Sequence, residues 1–157
     1  MKSGYVAFTG TAVAMTASTA KTHLGILTPA TFGLDLLKIH LGMDSVVGSN
    51  PTVLVELVSY SADGTGTAGT VNPTYGRGTN TASIPIGFTS KYNYSVEPTG
   101  PTVLDKWPLT PVSGTAIYDL QLNATPDVGV STLLGLRLTP GSAITGNAHV
   151  SMHFERC

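Results

Sequence analysis

The chain predicts an all-β fold, an antiparallel sandwich or barrel, on three observations. Apolar residues recur with a period of two in several separate segments, the mark of strands with one buried face. Eighteen glycines and ten prolines interrupt the chain too often for long helices. No crossover helices are apparent, so strands distant in sequence must pair antiparallel.

Taken in order, residues 5–15 set Tyr5, Ala7 and Thr9 against Val6 and Phe8 and predict the first strand. A second is predicted at 22–28 and a third at 34–42. The third is ambiguous, because Leu34, Leu37 and Leu41 fit one face of a helix, whereas Leu37, Ile39 and Leu41 against Lys38 and His40 fit a strand. Its short length between Gly33 and Gly42 favours the strand. Val53, Val55 and Leu57 share one face of the next element. A strand at 102–107 follows, and then one in which Tyr118, Leu120 and Leu122 oppose Asp119 and Gln121. Leu134, Leu136 and Leu138 point one way and Arg137 the other. The cleanest alternation closes the series, with Val150, Met152 and Phe154 inward and His149, Ser151, His153 and Glu155 outward. Many short strands separated by Gly, Pro and Asn turns read as a sandwich or barrel.

A length of 157 residues suits one domain, 1–157, with no linker or internal repeat. Two segments stand apart. Residues 1–8 are expected to form an N-terminal arm, and residues 61–83, rich in Gly and Thr and nearly free of aliphatics, a long loop that reaches a neighbour. Lys2 and the mildly apolar run behind it superficially resemble a signal peptide, but Thr9, Gly10 and Thr11 interrupt the run and cleavage is not expected. No stretch reaches the ~20 apolar residues of a membrane helix.

Charge is the outstanding compositional feature. Only 11% of residues are charged, against roughly 25% in ordinary domains, while the mean hydropathy is just +0.20. Thr, Ser, Gly and Pro make up the difference. A small domain so poor in Lys and Glu associates readily, since mixed charge keeps surfaces apart. The composition therefore predicts a subunit packed against other subunits. The net charge of -1 and the eight scattered basic residues give no basic patch, so no nucleic-acid partner is expected. The single cysteine, Cys157, makes no intrachain disulfide.

The sequence offers little for catalysis. His149 and His153 are four apart, but on a strand rising ~3.3 Å per residue they lie about 13 Å apart, too far to share a metal. The nine carboxylates are isolated in sequence, no serine sits in a nucleophile elbow, and no Gly-rich phosphate loop with a following Lys is present. No enzyme activity, cofactor or metal is expected. The aromatic residues remain. Tyr5 and Phe8 in the arm, Tyr75 and Arg77 in the loop, and Tyr92 and Tyr94 beyond it are the candidate interface anchors, aromatics being common in that role. The same Tyr75, Tyr92 and Tyr94 trio keeps a sugar-binding platform open, and Trp107 reads equally as core or interface.

The run Thr19-Ala20-Lys21-Thr22-His23-Leu24-Gly25-Ile26-Leu27-Thr28-Pro29-Ala30 resembles the opening of small virion structural proteins of tailed bacteriophages. Leu36-Leu37-Lys38-Ile39, Pro51 to Leu57, Glu97-Pro98-Thr99 before a strand ending at Trp107, Gly135 to Thr139 and the closing His153-Phe154-Glu155 keep the same order over most of 19–155. The resemblance implies a jelly-roll-like β-sandwich on the phage head, a capsid decoration (cement) or minor capsid protein. Its partners would be the major capsid protein and copies of itself, with a homotrimer the expected form. A tail or baseplate component, a receptor- or carbohydrate-binding module and a single-jelly-roll coat protein are the alternatives.

Overall fold

The computed structural model describes residues 4–47, 52–75, 86–110, 114–121 and 127–156. Its strands are β1 (Gly4–Phe8), β2 (Val13–Met15), β3 (Lys21–Leu27), β4 (Leu34–Val47), β5 (Val53–Tyr60), β6 (Thr65–Ala68) and β7 (Thr70–Tyr75). They continue with β8 (Thr89–Val96), β9 (Thr102–Leu109), β10 (Gly114–Asp119), β11 (Asp127–Val128), β12 (Leu133–Pro140) and β13 (Thr145–Arg156). No helix occurs among the described residues. One sheet has the order β10-β4-β13-β1-β7, with β11 on β4 and β2 on β13; the other runs β6-β8-β3-β12-β5-β9. Neighbours within each sheet pair antiparallel.

Alternation determines which faces meet. Tyr5 and Ala7 of β1, Leu24 and Ile26 of β3, Val53, Val55 and Leu57 of β5, Leu134, Leu136 and Leu138 of β12, and Val150, Met152 and Phe154 of β13 form one apolar cluster between the sheets. Burying each of the Val, Leu, Ile, Met and Phe side chains among them contributes roughly 1.5–3 kcal/mol. Phe88, just before β8, meets Tyr5 edge-on at 5.4 Å and Phe154 at 6.1 Å.

The segment with two readings is a strand, and a bulge explains its ambiguity. On β4, Lys38 faces His153 while Leu36 faces Phe154, so Leu37 is an extra residue in the ladder. Leu34 and Leu36 point inward before the bulge, and Ile39, Leu41 and Met43 after it. One inserted residue thus turns a period of two into something that passes for a helical stripe.

Two expected excursions are built into the sheets instead. Gly4–Phe8 of the expected arm is a strand between β13 and β7. The expected 61–83 loop contains β6 and β7, which extend one edge of each sheet; the rest of it, from residue 76, lies outside the described residues. The single strand expected over 5–15 is two, β1 and β2. Between them the Thr9 N–H donates to the Val150 carbonyl at 3.0 Å, and the Val150 N–H donates back to Thr9 Oγ1 at 3.2 Å.

The stretch from Ser61 to Pro101 is an excursion whose two ends are tied together. Ser61 N–H donates to the Thr99 carbonyl at 3.1 Å and Thr99 N–H to the Ala62 carbonyl at 3.0 Å. Gly64 packs in the same corner, where a Cβ would run into the Val96 carbonyl and lie 2.8 Å from the Pro98 nitrogen. Backbone cannot yield as a side-chain tip can, so Gly64→Ala is expected to cost ~1–3 kcal/mol. Gly129→Ala is expected to be neutral, its added Cβ meeting only Thr132 Oγ1 at 3.5 Å. Urea midpoints of the two variants check this.

Candidate functional site

The outer face of the β3–β12–β5 sheet is closed by the protein itself. Gly25 and Gly135 lie directly opposite each other on β3 and β12. The missing side chains leave room for two rings: Tyr94 covers Gly25, and Tyr60 packs 2.9 Å from where a Gly135 Cβ would stand. Val58, Tyr60 and Leu133 form a small apolar cluster on this side. Tyr60 and Thr22 hydroxyls meet at 2.7 Å, Glu97 Oε2 accepts from the Thr22 N–H at 2.9 Å, and Arg137 Nε donates to Glu56 Oε2 at 2.8 Å. Burial, above all, pushes both the Tyr60 and Tyr94 phenols above their ordinary range. Such a face is filled by the chain's own side chains.

Three of the expected anchors are buried. Tyr5 is fully buried in the core, not displayed on an arm. Tyr92 is 9% exposed and Tyr94 4% exposed, so neither stands on a binding platform. They go to opposite faces although they are two residues apart, because Asn93 between them adopts φ +48° and breaks the alternation. Tyr92 joins the core beside Leu24, with its hydroxyl 2.8 Å from where a Gly10 Cβ would stand; Tyr94 lies outside over Gly25. Tyr75 ends β7 opposite Gly4; its side chain and all of Arg77 lie outside the described residues. Phe8 stays partly exposed on the outer face of the other sheet.

That outer face carries the first open feature, a depression of about 320 Å³ lined by Phe8, Thr9, His40, Thr115, His149 and Ser151. Beside it the His40 and His153 rings pack at 4.8 Å. Burial first, then His40 and Lys38, hold His153 below its usual range, with Asp119 opposing. Lys38 and Asp119 pair at 2.8 Å with side chains 38% and 69% exposed, a contact worth little. Among the described residues no three His, Cys, Asp or Glu side chains are grouped to hold a metal ion.

The second open feature lies where β9 and β10, the outermost strands of the two sheets, come together. Trp107 and Tyr118 pack at 4.6 Å across the gap. With Ile39, Leu57, Leu120 and Asp105 they line a slot of about 310 Å³. The Trp107 indole N–H is buried with no acceptor among the described residues. The two strands also expose large apolar side chains, Val103 at 41%, Leu104 at 50% and Ile117 at 56%, beside the exposed Asp105, Lys106 and Asp119. Trp107 reads as either core or interface in sequence; in the fold it is partly buried and forms the wall of an open slot. Ile117 and Leu104 carried no sequence signal, since their exposure depends on which strands are outermost.

No protein-family model matches the chain, and no curated protein matches it significantly.

Proposed function

We propose that this chain is a structural subunit of a tailed-phage virion, a jelly-roll decoration protein that binds the assembled head and stabilises it. The observation that carries the reading is the pairing of a charge-poor composition, eight basic and nine acidic side chains in 157 residues, with an open side at β9 and β10 on which Val103, Leu104 and Ile117 are exposed. The strand orders support the jelly-roll part. Leaving out β6 to β8 and the short β2 and β11, the sheets read β1-β13-β4-β10 and β3-β12-β5-β9. Each sheet interleaves early and late strands, and successive strands alternate between sheets except β5 and β9, which pair as a hairpin in one sheet, the pattern of two nested Greek keys. The Ser61–Pro101 excursion then widens both sheets on one side.

The action is thermodynamic. A subunit that binds the assembled shell and not its dissociated parts stabilises it by mass action, about 2.7 kcal/mol per site at a hundredfold excess over Kd. Contacts with neighbouring copies and with several capsid subunits add multivalent gain. Expanded phage heads saturated with the protein are expected to disrupt at a higher temperature than bare heads. Equal disruption temperatures would overturn the proposal.

A second reading, a carbohydrate-binding module, rests on the slot. Trp107 and Tyr118 offer ring faces and Asp105 an acceptor. Saturable glycan binding abolished by Trp107→Ala would favour it over the head reading.

A further inference from the structure

We infer that β10 is a self-association edge, to which a second copy of the chain adds its own β10 antiparallel about a two-fold axis through Ile117. The inference rests on the fold alone and does not depend on the head reading.

A sheet edge presents unpaired N–H and C=O groups, and proteins blunt such edges with proline, lysine, bulges or short strands. The hydrogen-bond phase shows which groups face outward at each edge. On β5, Gly141 N–H donates to the Thr52 carbonyl, so Val53, Val55 and Leu57 bond toward β9 and pair with Leu109, Trp107 and Asp105. Lys106 and Pro108 therefore face outward on β9, and the ladder is bulged at Leu104. In β7 the same reasoning starts from Thr9 N–H on the Val150 carbonyl and turns Pro73 outward; a register shift lies beside it. The β6 edge is four residues long and also bulged. Three of the four outermost strands are thus guarded.

The fourth is not. β10 is six residues, GTAIYD, with no proline, no lysine or arginine and an unbroken register against β4. Leu120 N–H donates to the Leu37 carbonyl at 2.9 Å. Counting back in twos, the backbone groups of Thr115, Ile117 and Asp119 point away from β4. Among the described residues no strand pairs with them.

The edge is also complementary to itself. A two-fold through Ile117 places Ile117 against its own copy and Thr115 opposite Asp119 of the second copy. The exposed isoleucines cover each other, and each threonine hydroxyl faces a carboxylate. No like charges oppose. On the inner face small Ala116 lies opposite Tyr118 of the second copy, beside the slot. By contrast, the corresponding self-pairings of β9 set Lys106 against Lys106 or Asp105 against Asp105. The product is one continuous sheet through two copies, and it is compatible with a separate ring contact elsewhere.

Light scattering of the purified protein without phage heads tests this. Wild type is expected to have twice the mass of Ile117→Lys, whose exposed side chain puts two like charges on the axis. In a Cys157→Ser background, Ile117→Cys is expected to crosslink under mild oxidation, since opposed residues of a bonded pair stand about 5.5 Å apart. Thr115→Cys is expected not to, because its copy lies across from residue 119. Equal masses for wild type and Ile117→Lys, or equal crosslinking at 115 and 117, overturn the inference. Loss of head binding with the twofold mass difference intact would sink only the decoration reading.

Discussion

Replacing Arg137 by methionine is expected to lower the unfolding free energy by about 3 kcal/mol, and replacing Glu56 by leucine in the same chain is expected to restore most of it. The pair lies on the covered face of the β3–β12–β5 sheet, where Arg137 and Glu56 are directly opposed in register and their side chains are 19% and 10% exposed. Removing the guanidinium strands a carboxylate that has little water to fall back on. The figure sits at the low end for a broken buried pair because Lys106 of β9 faces Glu56 from the other side. Removing both charges leaves an apolar contact beside Val58, Tyr60 and Leu133, where methionine and leucine fit. Urea unfolding at neutral pH of the single and double variants measures the difference. A double variant no more stable than the single one would show that the face depends on packing around the pair and not on its charge.

Acid is expected to weaken the domain through His23. Leu24 pairs with Leu136 and Thr22 with Arg137, so His23 is the extra residue of a bulge on β3 and is fully buried. Its Nδ1 donates to the Lys21 carbonyl at 2.9 Å. Burial, chiefly, pushes its pKa from 6.5 down to about 4, with backbone hydrogen bonding to Lys21 pulling the other way. In the unfolded chain the ring takes up a proton near pH 6.5; in the fold it resists until about 4. Stability is therefore whole above 6.5 and falls as the pH drops from there to 4, by about 3 kcal/mol in all. His153, also held low, adds to the loss in the same direction. His23→Leu is expected to flatten the profile, carboxylate titration being common to both chains. If unfolding midpoints of wild type and variant fall in parallel between pH 7 and pH 4, the imidazole is not the source.

The inward faces of β5, β12 and β13 were legible because each carries uninterrupted apolar alternation. Where the alternation is broken, reading faltered for identifiable reasons. The bulge at Leu37 mimics a helix, and the left-handed Asn93 sends Tyr92 and Tyr94 to different buried faces, although in sequence both read as exposed anchors. β6 and β7 have hardly any aliphatic residues to alternate; their strand character comes from the neighbours they pair with. Tyr5 was assigned to an arm although it shares a face with Ala7, a pattern that already pointed inward. The open side was not legible at all. Lys106, Pro108 and Pro73 become edge guards only once the bonding phase is known, and the bareness of β10 shows only beside them.

The position of β13 has a consequence for biosynthesis. It forms the middle of its sheet, flanked by β4 and β1, yet it is made after every other described strand. Until it emerges from the ribosome, β1 lacks its partner on that side and β4 has only its outer neighbours, and closing so long a stretch of chain is entropically slow. A nascent chain halted before residue 145 would hold two half-sheets with bare inner edges. Folding, and with it any recruitment into a larger particle, must therefore wait for translation to pass this strand.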